Sequence, residues 1–330
     1  MAKSQQIPGI DCDGPAQAGI TLVLNWRFEE MCKLRSRALD WNAPEGVHDM
    51  RVASRRLRGA LKDFLPYLPK KRVSGCQEQI RAIAKALGRV RDCDVEIMTL
   101  EAIARKAPVK FSPGILRFVE FRKAAREEAR AKLLLPLAPE SLEKLRIRFN
   151  AALEGLSSQR TKEPKQKPPA APLAYRQVAR AVISNRLEDL GRFSESLYHP
   201  LKVKPLHEMR ISAKHLRYAL ELFGHCWGAS LSPVAKKVAE LQSSLGKLHD
   251  CDVWIKTFGR AATHQVPALD SDYRATAAWL LGHFLKLRSK QVAKALSQWN
   301  EWEAEEVSAQ LHQTILSDSS ATSVTLQTHA

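Results

Sequence analysis

The stretch VHDMRVASRRLRGALKDF, residues 47–64, returns as LHEMRISAKHLRYALELF at residues 206–223. At an offset of 159, His48 aligns with His207, Met50 with Met209 and Arg51 with Arg210. Leu57, Arg58, Ala60, Leu61 and Phe64 align with Leu216, Arg217, Ala219, Leu220 and Phe223. A second block follows each copy: LGRVRDCDV at 87–95 and LGKLHDCDV at 245–253, offset 158, so that Asp92, Cys93 and Asp94 return as Asp250, Cys251 and Asp252. Two matched blocks in the same order at a nearly constant offset mark a tandem duplication, and a period near 159 residues is too long for a solenoid. The expectation is two homologous bundles.

Each copy of the motif reads as one amphipathic helix. At about 100° per residue, His48, Arg51, Arg55, Arg58 and Lys62 fall within an arc of about 80°, and Met50, Ala53, Leu57, Ala60, Leu61 and Phe64 lie opposite. In the second copy His207, Arg210, Lys214 and Arg217 share one stripe, and Glu221 stands where Lys62 stands. Arg56 and its counterpart His215 sit at the flank. The long segments elsewhere show the helical period and few β-branched runs, so the chain reads as all-α. Helices are expected near 20–39, 45–65, 72–104, 113–132 and 140–155, then near 173–197, 206–224, 232–258 and 269–310. Short connections between long helices favour antiparallel bundles. The stretch SSQRTKEPKQKPPAAP, residues 157–172, is rich in Pro and Lys without apolar periodicity and reads as a linker. The domains expected are a first bundle at 19–156 and a second at 173–312, with flexible ends at 1–18 and 313–330.

Composition narrows the partners. The 330 residues carry 52 Lys+Arg against 35 Asp+Glu, a net charge of +17, and the excess is shared: 28 against 17 in residues 19–156, 19 against 11 in 173–302. Such an excess suits anionic partners. A hydrophobic share of 45% supports a full core. No uncharged apolar run reaches about 18 residues, so no transmembrane helix is expected. The opening MAKSQQIPGIDCDGPAQAG lacks the apolar run of a secretory signal. Six cysteines are too few for a disulfide scaffold, and a cytoplasmic location is expected.

Further cations repeat at one-turn spacing: Arg122, Arg126 and Arg130 in one helix, Lys286, Lys290 and Lys294 in another. Arg89 and Arg91 align with Lys247 and His249 just before the shared Asp-Cys-Asp. A solvated helix face mixes signs, whereas like charges at i+3 and i+4 repel and cost helix stability. An in-register cationic stripe is better explained by an anionic partner; a run of phosphates could follow such a ladder, with Arg offering bidentate hydrogen bonds and Lys point charge. Asp92, Asp94, Asp250 and Asp252 are expected to pair with the motif's Arg or His, not to bind metal, because no further ligands stand at metal spacing. Cys93 and Cys251 read as small buried hydrophobes. One His per half, ringed by arginines, is a poor cation site; His48 and His207 read as hydrogen-bonding or phosphate-contacting groups. No metal and no cofactor are expected.

The repeated His-x-x-Arg-x-x-x-(Arg/Lys)-x-Leu-Arg, at His48–Arg58 and His207–Arg217, resembles the CHAD family, the conserved histidine α-helical domain. The Leu-Gly-x-x-(Arg/His)-Asp-x-Asp-Val blocks at Leu87–Val95 and Leu245–Val253 are also similar to that family. The resemblance covers roughly residues 19–312. It implies two helical bundles related by a pseudo-twofold, a basic groove or pore between them, binding of inorganic polyphosphate and, in some members, association with polyphosphate granules. It would place His48, Arg51, Arg55, Arg58, His207, Arg210, Lys214 and Arg217 in that groove, with Arg122–Arg130 and Lys286–Lys294 along its walls. The Glu-x-Glu-x-Lys signature of the CYTH domain fused to some members is absent from the sequence.

The reading is therefore a non-enzymatic polyphosphate binder. Nucleic acid is the alternative partner, disfavoured because only Tyr218 accompanies the cations, and single-strand binders stack bases on aromatics. A metal-dependent phosphohydrolase would rest on the dipeptides His48–Asp49 and His249–Asp250, which lack further ligands; no P-loop, Gly-x-Ser-x-Gly or His-Glu-x-x-His occurs.

Overall fold

The computed structural model describes residues 7–157, 173–263 and 271–317. Among them there is no β-strand; the helices are α1 (Ala16–Lys33), α2 (Arg35–Ala38), α3 (Glu45–Asp63), α4 (Lys70–Ala104), α5 (Ser112–Leu134), α6 (Pro139–Ser157), α7 (Tyr175–Gly191), α8 (Val203–Phe223), α9 (Ser232–Thr263), α10 (Ser271–Ala304) and α11 (Val307–Leu316). Short 3₁₀ segments of three to eight residues join several of them. The all-α reading holds, and no described helix is long and apolar enough to cross a membrane. The motif helices are α3 and α8. Except for residue 157, the stretch expected as a linker lies outside the described residues, as do 1–6 and 318–330 of the expected ends. The described residues form two compact units, one drawn from Met1–Pro172 and Thr257–Leu281, the other from Leu173–Lys256 and Gly282–Ala330.

In the first unit the apolar stripe of α3 is fully used. Met50, Leu57 and Phe64 have no exposed surface, and Val47, Ala53, Ala60 and Leu61 are buried. Each large side chain of this set contributes about 1.5–3 kcal/mol by leaving water. Helix α3 packs on α1 and α4, and α4 packs along α5. Phe28 of α1 stacks on Phe149 of α6 at 4.5 Å, and Phe118 of α5 stacks on Tyr273 at 4.4 Å and meets Phe258 edge-on at 5.1 Å. Gly46 sets the entry of α3: a Cβ there would lie 1.8 Å from the Arg37 carbonyl oxygen, so only glycine lets α3 start against the backbone after α2.

The second unit is built on the same stripe. Met209, Leu216, Ala219 and Phe223 of α8 have no exposed surface. Tyr175 of α7 meets Phe223 at 5.5 Å, and Trp254 of α9 stacks on Phe284 of α10 at 5.2 Å. Burial repeats even where identity does not. Ile20, Val23, Leu24, Phe28 and Met31 of α1 are buried, and so are Ala179, Val182, Ile183, Leu187 and Leu190 of α7, each 159 positions on.

One expected helix is two. The segment read as 269–310 breaks after Ala304 because Glu306 takes left-handed angles, φ 49° and ψ 38°, and α11 turns back with Val307, Leu311 and Ile315 all fully buried. The Ile315 carbonyl accepts a 2.7 Å hydrogen bond from Arg180 Nε of α7, which fastens α11 to the unit. Likewise the helix expected at 173–197 ends at Gly191, and a 3₁₀ turn follows at Ser194–Tyr198.

Candidate functional site

In the first unit His48, Arg51 and Arg55 are half-buried along α3, and Arg58 and Lys62 are exposed. Helix α4 supplies the other side of this face. Arg51 Nη2 donates to Asp92 Oδ1 at 3.3 Å, which meets the expectation that the first aspartate pairs with the motif. The His48 imidazole is held below its ordinary pKa by burial and by the field of Arg91 on α4. Although Arg58 is exposed as a residue, its guanidinium is partly desolvated, which lowers its pKa, and the like charge of Arg81 adds to it. Arg81 was not singled out in the sequence, because it precedes the shared Leu-Gly block; its signal was its place in the row Arg81–Lys85–Arg89 along one face of α4.

Arg56 is placed elsewhere. It is 8% exposed, and its Nη1 lies 3.7 Å from Glu30 Oε1 of α1, a carboxylate that also takes Arg27 Nη1 at 2.8 Å. It belongs to a buried network that ties α3 to α1.

The row on α5 is largely spoken for by acids. Arg122 Nε pairs with Glu96 at 3.2 Å, Arg126 Nη1 with Asp94 at 3.7 Å, and Arg130 Nη1 with Glu127 at 3.0 Å. Arg130 also lies over the Trp41 ring, 5.0 Å from its centroid, and donates to the Trp41 carbonyl at 3.4 Å. Asp94 is 5% exposed; burial raises its pKa, and Arg126, Arg130 and Arg91 oppose that rise. So the second aspartate serves the α4–α5 seam, not the motif helix. Arg89 points out to solvent.

In the second unit the two histidines meet. His207 Nδ1 and His249 Nδ1 are 3.1 Å apart and both rings are half-buried. His249 is pushed down to about 4 by burial, then by Arg210 and His207; burial and Arg210 lower His207 too. Arg210 and Lys214 are half-buried and Lys247 is exposed. Arg217 donates to Glu221 and to Gln242, each at 2.8 Å, so the acid that replaces Lys62 does neutralise that end of the stripe. Lys286, Lys290 and Lys294 line α10, all exposed, with no ion pair among the described residues.

Asp252, like Asp94, turns away from the motif. Arg288 of α10 donates to Asp252 at 2.6 Å and to the Pro200 carbonyl at 2.6 Å. Arg288 stands 158 positions after Arg130, and Pro200 stands 159 after Trp41, so the clamp between the fourth long helix and the loop before the motif helix recurs. That offset was the overlooked signal for Arg288.

Other chemistry is thin on these faces. Glu45, His48 and Asp49 have ligand atoms within 4.8 Å of one another, but Arg37 Nη2 already holds Asp49 at 3.0 Å, and Arg91 and Arg55 act on the group with like charge. Cys251 is buried and its thiol is pushed up to about 11 by burial with Asp250 and Asp252 beside it, so it stays a protonated, inert group; Cys93 is half-buried, less so than expected.

Fold and faces define a class: an all-helical scaffold that carries paired His/Arg/Lys helix faces. The chain belongs to the CHAD domain family, which matches residues 23–259. Its fold is similar to the crystal structure of the CHAD domain from the plant Ricinus communis, with a TM-score of 0.66 at 22% identity, covering 94% of this chain and 96% of that one. It is also similar to PptA from Streptomyces chartreusis, with a TM-score of 0.61 at 18% identity, covering 87% of this chain and all of that one. At such identities the likeness is one of fold. No curated protein matches the sequence.

Proposed function

We propose that this protein binds inorganic polyphosphate without transforming it, through the cationic face of α3 and α4 in the first unit and of α8, α9 and α10 in the second. The observation that carries the reading is the gathering of like charges at partly exposed positions, with Arg58 beside Arg81 and His48 beside Arg91; burial depresses the Arg58 guanidinium and the His48 imidazole, and the neighbouring cation adds to it in each case. A fold gains nothing from such repulsion by itself; an anion that spans several cations offsets it. Family membership and the resemblance of both motifs agree with the same ligand. Arg56 is left out of the proposed surface because it is buried on Glu30, and Arg122, Arg126 and Arg130 are secondary to it because carboxylates hold them. Arg81 is added.

A non-enzymatic role is supported by what surrounds the two His-Asp dipeptides. Asp49 is bound to Arg37 and His249 to His207, so neither dipeptide presents a free carboxylate–imidazole pair. Base stacking has little to rest on, since Tyr218 is half-buried and the Trp41 ring beside the cations already carries Arg130. On this reading the protein sits on polyphosphate granules in the cytoplasm.

Titration with polyphosphate, DNA and free phosphate at several salt concentrations tests the proposal. Polyphosphate should bind tightest per phosphate, with strong salt dependence. Arg51→Glu and Arg210→Glu should weaken it by about tenfold or more each with helicity intact, since each removes a charge-assisted contact and adds a repulsive one. Changes at Lys162, Lys165 and Lys167 should matter much less. DNA displacing polyphosphate at equal phosphate concentration would overturn the assignment.

A further inference from the structure

Among the aligned positions at which the two units differ, one changes the kind of cation beside the motif histidine. Beside His48 the first unit places Arg91, a permanent cation; 158 positions on, beside His207, the second places His249, a titratable one. We infer that the His207–His249 pair makes anion binding by the second unit proton-linked: the anion loads one proton onto the pair, and the affinity of this face rises as pH falls. The inference rests on the polyphosphate reading above and names how that site is regulated.

The geometry supplies the mechanism. With the two Nδ1 atoms 3.1 Å apart and ring centroids 4.4 Å apart, one ring donates its Nδ1–H to the lone pair of the other. The donor ring then has a bare Nε2 and the acceptor ring an Nε2–H. A proton from solvent adds to the bare Nε2 without breaking the shared hydrogen bond. The pair gains one positive charge and has an N–H at each Nε2, two donors for phosphate oxygens.

The neighbours set the balance. On α8, Arg210 and Lys214 oppose the added charge and Glu208 favours it; on α9, Asp252 favours it, but Arg288 of α10 already holds that carboxylate at 2.6 Å. Burial and Arg210 therefore keep the empty pair neutral near pH 7. A phosphate chain beside Arg210 reverses the sign of the local field and raises the affinity of the pair for a proton. The sign follows from linkage: the bound form holds the extra proton over a window in which the free form does not, so binding strengthens as pH falls through that window.

The test is calorimetric titration with long-chain polyphosphate, whose internal units do not titrate, at fixed salt in buffers of different ionisation enthalpy. The wild-type chain should take up about one proton more than His249→Arg and bind about tenfold tighter at pH 5.5 than at pH 7.5. His249→Arg installs the permanent cation of the first unit, and should bring the pH 7.5 affinity up to the wild-type value at pH 5.5. His249→Gln should stay weak at both pH values, and it keeps the test decisive if the arginine variant fails to fold, as judged by circular dichroism. Imidazole NMR signals of the wild-type pair should titrate at higher pH with polyphosphate than without. Equal proton uptake in wild type and variants, or no shift in those signals on binding, overturns the inference alone. No binding by wild type at either pH in low salt overturns the polyphosphate reading instead.

Discussion

Arg56 is 8% exposed and reaches Glu30, whereas Arg58, two residues on, is exposed beside Arg81. Both are arginines of the same motif helix, and the sequence gives them one appearance. The helical period separates them, since a shift of two residues turns a side chain by about 200°. Removing Arg56 strands part of a buried carboxylate network, and Arg56→Ala should cost about 2–3 kcal/mol of folding stability. Arg58→Ala removes a cation from a repulsive pair, so stability should stay within about 0.5 kcal/mol. Its polyphosphate affinity should drop several-fold. Urea melts and polyphosphate titrations of the two variants, side by side, check this. Equal losses of stability would mean that burial does not divide the motif helix into a folding side and a binding side.

At the scale of elements, the Asp-Cys-Asp block joins three helices. Its first aspartate in the first unit faces α3, and its second holds an arginine of the next long helix, as Asp94 does with Arg126 and Asp252 with Arg288. The expectation that all four aspartates pair with the motif helix fails at Asp94 and Asp252, and the partner Arg288 was hidden because it lies in no repeated block. The same limit hid α11. Nothing in the run Ala304–Val307 is a glycine or proline, and the break falls on Glu306, whose left-handed backbone is paid for by burying Val307, Leu311 and Ile315. The motif helices, the all-α class and the long α4 and α9 were legible because their apolar period is long and clean. The Arg288 clamp depends on tertiary distance alone. Both of its ends are specific: Arg288→Ala leaves Asp252, only 12% exposed, and the Pro200 carbonyl without their donor. That loss should cost about 3 kcal/mol. Arg288→Lys should recover less than half of it, since one ammonium cannot span two acceptors as a guanidinium fork does. Denaturant unfolding monitored by circular dichroism measures both.

At the scale of the whole molecule, a net charge of +17 is the sum of surfaces that behave differently. Part is cancelled internally, as on α5 and at Arg217, and part is left accessible at Arg58, Lys62, Lys247 and the lysines of α10. Each unit has its own motif helix and its own accessible set, so a polyanion should displace counterions from both. The slope of log affinity against log salt counts that displacement, at about 0.7–0.9 per phosphate neutralised in nucleic acids. Arg51→Glu and Arg210→Glu should each reduce its magnitude by about 1–2, because each deletes a cation and adds an anion. The two sites lie in separate units, so their effects should add in the double variant. A double variant whose slope equals that of one single variant would mean that only one unit takes up ligand. In that case the repeated stripe in the other unit would need a different explanation from the one that its charge suggests.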